Sequence, residues 1–68
     1  MEKFEEKLMD IFDVDEINDE DILEDFEEFD SLAILSIISV IGSDFGKTIT
    51  VTDVKNAKTI GGLKELTK

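Results

Sequence analysis

The chain has no cysteine, no histidine and no proline. Without cysteine there is no disulfide and no thiolate ligand. Without histidine there is no imidazole to bind a metal, complete a nucleophilic triad or act as a general base near neutral pH. Small domains often depend on disulfide or metal staples, and a chain of 68 residues buries only about 60% of its unfolded surface. It is expected to be one marginally stable domain, residues 1–68. Any active site in it would have to be built from carboxylates, Lys, Ser and Thr, in a fold too small to enclose much of a pocket. The composition argues against an enzyme and for a binding or carrying role.

Long apolar runs are also missing. The longest apolar-rich segment, Leu32 to Ile41, is interrupted by Ser36 and Ser39 and is well short of a membrane span. The start, Met1-Glu2-Lys3-Phe4-Glu5-Glu6, is acidic and no apolar signal region follows it. A free-standing, monomeric, cytoplasmic protein is expected, with no membrane association. Positive charge is scarce in the first half. Residues 1–30 hold 15 Asp and Glu against Lys3 and Lys7, a net of −13, and residues 31–68 hold three acids against five Lys, a net of +2, giving −11 overall. Such a surface repels nucleic acid and anionic lipid and attracts basic protein patches. Acidity of this kind also keeps a small protein soluble with no further role.

What is present is helical periodicity. Phe4, Leu8, Ile11 and Phe12 fall at i, i+4, i+7 and i+8, which predicts an amphipathic helix over 2–13. Asp15 to Glu28 is dense in acids. It reads as a long loop with at most one helical turn, pinned to the core by Ile17, Ile22, Leu23 and Phe26. Asp30 is a good N-cap for a second helix, Ser31 to Phe45, whose buried stripe is expected at Ile34, Ile37, Ile38, Ile41 and Phe45. Gly46 stops it. Thr50 and Asp53 resemble a capping box opening a short helix through Val51, Val54 and Ala57. The alternation over 48–52 would suit a strand, but no second strand is available to pair with it. Thr59 caps a last helix with Ile60, Leu63 and Leu66 inward, weakened at Gly61 and Gly62 by about 1 kcal/mol each relative to Ala. The expectation is an all-α, small four-helix bundle with two long and two short helices.

One hydroxyl stands out. Ser31 lies in Phe29-Asp30-Ser31-Leu32-Ala33, between the acidic loop and the most apolar helix. Asp30-Ser31-Leu32 is followed at an ungapped helix length by Asp44-Phe45-Gly46, then by Ile49, Thr52-Asp53 and Thr59-Ile60-Gly61, and is preceded by Glu24-Asp25. This ordered set resembles an acyl or peptidyl carrier protein over most of the chain. The resemblance implies a carrier with no catalysis of its own, in which Ser31 bears 4′-phosphopantetheine, flanked by Asp30 and Leu32 as the recognition flank for the modifying enzyme. A magnesium-dependent phosphopantetheinyl transferase would supply the group from coenzyme A, the Ser31 oxygen attacking the pyrophosphate. The thiol of the arm would then hold an acyl or aminoacyl group as a thioester for a loading ligase and a downstream synthase or transferase. The lack of cysteine agrees, since the working thiol is imported. The start of a helix also suits a phosphodiester.

The chain departs from the fatty-acid-synthesis type of carrier, whose second helix usually bears several acids. Here that face offers Ala33, Ser36, Ser39, Gly42 and Ser43, with only Asp44 charged. This favours a specialised carrier, closer to the peptidyl or D-alanyl kind. Leu32 and Leu35 fall off the core stripe beside Ser36 and Ser39, which is compatible either with burial on both sides or with an apolar docking strip. Client enzymes with basic or mixed basic-apolar patches would meet Leu32, Leu35, Ser36, Ser39 and the upstream acids Glu24, Asp25, Glu27 and Glu28. A rival reading comes from the loop itself. Asp13, Asp15, Asp19, Asp21 and Glu24 occupy positions 1, 3, 7, 9 and 12 of a calcium-binding loop. However, Ile17 stands at position 5 and Asn18 where the turn needs Gly, so weak divalent binding is the most this pattern supports. A small acidic interaction module without a prosthetic group is the remaining alternative.

Overall fold

The computed structural model describes residues 3–68. Four α-helices follow one another: α1 (Lys3–Phe12), α2 (Ser31–Phe45), α3 (Val51–Ala57) and α4 (Ile60–Leu66), with a single 3-10 turn at Leu23–Asp25 in the long first connection. The helices run to 10, 15, 7 and 7 residues, the two-long, two-short pattern that the periodicity predicts. Packing is sequential, α1 on α2, α2 on α3 and α3 on α4. Among the described residues no helix is long and apolar enough to cross a membrane.

Each helix is bounded by a local chemical signal. In α1, Phe4, Leu8 and Phe12 recur at intervals of four and are buried. The helix ends where Asp13 takes φ 55°. The Val14 N–H then donates to the Met9 carbonyl (3.0 Å) and the Asp13 N–H to the Asp10 carbonyl (3.3 Å), a Schellman ending with Asp where Gly is usual. In α2 the Asp30 carboxylate accepts the Ala33 N–H at 3.0 Å. Gly46, at φ 67°, closes the helix by donating to the Gly42 carbonyl. The capping box of α3 is complete, with Asp53 N–H to Thr50 Oγ1 at 3.2 Å and Thr50 N–H to Asp53 Oδ2 at 3.0 Å. Thr59 Oγ1 caps α4 by accepting the Gly62 N–H at 3.1 Å. The strand alternative at 48–52 is set aside, since α3 begins at Val51.

The core differs from the expected stripe in three places. Ala33 is buried with Ile34, Ile37 and Ile41, Ile38 is only half-buried, and Phe45 is 40% exposed. The inward face of α2 is thus rotated toward the 33/37/41 row. Phe45, at the helix end, reaches only the edge of Phe4, with centroids 5.5 Å apart. A further departure, outside that stripe, is Ile22, read as a pin but 49% exposed. Its backbone forms an isolated antiparallel bridge to Thr59. In extended backbone neighbouring side chains point to opposite sides, so with Leu23 buried at 1% exposure Ile22 faces outward.

The acidic loop is held by more than side chains. The Leu23 N–H donates to the Lys58 carbonyl (2.8 Å), the Ile60 N–H to the Asp21 carbonyl (3.0 Å) and the Gly61 N–H to the Asp19 carbonyl (2.8 Å). These bonds stitch the loop to the start of α4. Phe26 adds a ring stacked on Phe12, centroids 4.5 Å apart. Lys64 of α4 donates to Glu5 of α1 (2.5 Å) and to Asp19 of the loop (2.6 Å). The bond to Asp19, then that to Glu5, pushes the Lys64 ammonium well above its ordinary pKa, keeping it charged as a clasp across three segments.

Candidate functional site

Ser31 is the first residue of α2 and is exposed. Two adjacent bonds fix its position. Asp30 is extended, at φ −128° and ψ −172°. Its carboxylate takes the Ala33 N–H and its carbonyl takes the Ile34 N–H at 2.9 Å. Asp30 therefore has a structural task, turning the chain sharply into the helix just before the serine. The Ser31 and Leu32 N–H groups belong to the helix start, where no intrahelical acceptor exists and the dipole favours an anion. Leu32, the next residue, is 74% exposed.

The hydroxyl borders a depression of about 360 Å³ lined by Glu24, Phe29, Asp30, Ser31, Ile34 and Lys55. It shares Glu24, Phe29 and Lys55 with an adjoining groove of about 580 Å³ that continues past Ile22 and Leu23 to Lys58 and Thr59. Lys55 comes from α3, and nothing in the local sequence pairs it with Ser31. A larger depression, about 650 Å³, lies at the other end of α2 beside Phe4 and Phe45 and does not include the serine.

An exposed hydroxyl at a helix start is chemically suited to carry an esterified phosphate, and the sequence agrees. Residues 2–67 match the family described as the phosphopantetheine attachment site. The chain belongs to this carrier family. Comparison with curated proteins and with solved structures gives no match. Members of the family are non-catalytic carriers whose prosthetic group is 4′-phosphopantetheine. This chain is accordingly a phosphopantetheine-carrying protein, and its all-α bundle is of the acyl-carrier type.

The remaining expected residues of the carrier fall into three sets. Leu32, Leu35, Ser36 and Ser39 are all exposed and, at spacings of three and four, share one face of α2. Of the two accounts of Leu35, burial on both sides is excluded, since it is 56% exposed. The four upstream acids are exposed but do not form one group. Glu24 borders the Ser31 depression, whereas Asp25, Glu27 and Glu28 border a separate one beside Asp13 and Phe26.

The third set is the acids of the loop at calcium-like spacing, for which weak divalent binding is the most the pattern supports. Among the described residues no three acids are gathered to hold a metal ion. Asp13 and Asp15 are exposed, Asp19 is paired with Lys64, and Asp21 accepts the Asn18 N–H at 2.8 Å. The backbone that would have to coil around an ion is instead bonded to the start of α4.

Proposed function

We propose that Ser31 is the residue that carries 4′-phosphopantetheine, and that the chain is a single carrier domain holding an acyl or aminoacyl group for a dedicated cytoplasmic pathway, acting as a monomer. The observation that supports this most directly is the position of Ser31. It is an exposed hydroxyl at the first position of a 15-residue helix, immediately after its N-cap. When bound, the group supplies the thiol that forms the thioester. The protein contributes the rest. Asp30 sets the helix start, the first N–H groups would favour an ester phosphate there, and the exposed hydroxyl stays within reach of a modifying enzyme. The partners on this reading are a phosphopantetheinyl transferase, a loading ligase and a downstream synthase or transferase.

The test is mass. Incubation of the apo protein with coenzyme A, magnesium and a broad-range phosphopantetheinyl transferase is expected to add one phosphopantetheine per chain. The addition should vanish in Ser31→Ala. A mass gain that survives this substitution, or no gain in the unaltered chain, would remove Ser31 from the role.

On this reading the Leu32/Leu35 face is the surface that client enzymes touch. Leu35→Asp should leave the melting temperature nearly unchanged, because the side chain is already in water, yet slow modification by the transferase at least about fivefold. A central apolar contact is worth more than about 1 kcal/mol at a protein interface. Equal rates for Leu35→Asp and the unaltered protein would exclude this face from docking.

A further inference from the structure

We propose that Lys55 of α3 is a positioning residue for the phosphodiester on Ser31, holding the arm toward the groove between the loop and α3 rather than letting it swing free. The inference rests on the assignment of Ser31 as the attachment residue. The juxtaposition that carries it is that Lys55 and Ser31, 24 positions apart in sequence, border the same depression. A phosphate esterified to the Ser31 Oγ is one bond from that oxygen and so lies at the border of this depression.

The charge balance there makes the lysine matter. The other ionisable groups lining the depression are Glu24 and Asp30, both of which repel a phosphodiester. The Asp30 carboxylate is engaged with the Ala33 N–H and lies close by. Modification therefore adds an anion beside two others, in a chain already at −11. Lys55 is the cation that can offset this. Nor is it committed elsewhere. Lys7 is paired with Asp44, Lys64 with Glu5 and Asp19, and Lys68 with Glu65, while Lys55 has no ion pair among the described residues. Its stem is rooted firmly, because α3 has a complete capping box and the preceding residue, Val54, is fully buried.

The continuation of the groove gives the contact a direction. Beyond Lys55 it runs over Leu23, Phe29 and Ile22 to Lys58. A phosphate drawn toward Lys55 and away from Glu24, which also lines the groove, starts the arm along this largely apolar path with a lysine at each end. Among the described residues Lys58 likewise has no ion pair, but it does not border the Ser31 depression, which makes it the natural control.

The experiment compares apo and holo forms of the unaltered chain, Lys55→Gln, Lys55→Arg and Lys58→Gln, by thermal melting and by phosphorus-31 NMR of the holo forms. Full mass gain on Ser31 is checked first. Lys55→Gln is expected to melt with the unaltered apo protein but to lose about 2–4 °C in the holo form, the scale of one exposed charge pair in a domain of this size. Lys55→Arg should restore it and Lys58→Gln should not reproduce it. The phosphorus resonance of the unaltered holo protein should move when salt is raised from low to high, while that of Lys55→Gln should lie near the high-salt position throughout. Equal losses in apo and holo forms would make Lys55 merely structural and overturn the proposal. Full mass gain with a phosphorus resonance indifferent to Lys55 would overturn it while leaving Ser31 in place. Failure to gain mass on Ser31 would end the attachment reading and this proposal together.

Discussion

Gly62→Ala is expected to destabilise the protein by about 3 kcal/mol or more, although Ala is the better helix former by about 1 kcal/mol. A Cβ at Gly62 would lie 2.1 Å from the Ala57 carbonyl oxygen, 2.8 Å from its carbon and 3.0 Å from its Cα. All three are backbone atoms, so no side chain can swing aside. The carbonyl is fixed from several directions. It accepts the Thr59 N–H at 2.7 Å across Lys58, which is held at φ 67° and ψ −36°, a γ-turn. Thr59 in turn caps the Gly62 N–H, and the Lys58 carbonyl accepts the Leu23 N–H. Relief of the clash requires opening the α3–α4 turn and with it the attachment of the acidic loop. Inserting one extra carbon into a packed site costs roughly 1–3 kcal/mol when side chains can adjust, and here backbone would have to move. Gly61→Ala provides the comparison. Its Cβ would meet the Asp19 carbonyl oxygen at 3.2 Å, a contact a loop can ease by a few tenths of an ångström, so the change should stay within about 1 kcal/mol. Urea unfolding of the two variants decides the matter. A Gly62→Ala midpoint at or above that of the unaltered protein would show that the turn is far looser than its hydrogen bonds indicate.

The contrast between those two glycines shows which parts of the molecule can be read from sequence. Helix caps are exchanges within four residues, so Asp30, Thr50 with Asp53, Thr59 and Gly46 are legible from their immediate neighbours alone. So are the apolar rows of α1 and α2, because a period of 3.6 is a local property. Ser31, proposed to bear the arm, is legible for the same reason, since Asp-Ser-Leu, the helix length and the following Phe-Gly lie in one stretch. What is not legible depends on contacts distant in the chain. Gly62 looks like a defect until Ala57 is seen against it. Ile22 and Leu23 look alike until the bridge to Thr59 shows that extended backbone sends them to opposite sides. Ala33 and Phe45 exchange their expected burial because the rotation of α2 is set by α1 and α3, not by its own pattern. Lys55 comes to border the same depression as Ser31 only through the packing of α3 on α2. The calcium-like spacing of the loop is a pattern of one dimension, and the bonds from Ile60 and Gly61 to Asp21 and Asp19 give that backbone a different course.

The other large effect concerns Phe12, against which two rings of the loop lean. The side chain is 2% exposed, stacked on Phe26 at an interplanar angle of 13° and tilted against Phe29 with centroids 6.2 Å apart. Phe12→Ala should cost about 3–5 kcal/mol through lost burial and the cavity left behind, including the aromatic pairings. A domain of this length has a total stability of roughly 3–10 kcal/mol, so this variant should be largely unfolded or close to it, with a collapsed urea midpoint. The more informative change is Phe12→Leu, which keeps most of the apolar volume at a cost of roughly 1–2 kcal/mol and leaves the fold intact. Phe26 and Phe29 would then lose the ring they lean on, and Phe29 immediately precedes the N-cap Asp30. Amide hydrogen exchange should quicken about tenfold over residues 26–30, while Ile37 and Ile41, fully buried in the middle of α2, keep their protection relative to global unfolding. Unchanged exchange at 26–30 would mean that the bonds from Leu23, Ile60 and Gly61 hold the loop without help from the ring. In that case the orientation of the α2 start, and of Ser31 with it, would depend on the α3–α4 turn rather than on α1.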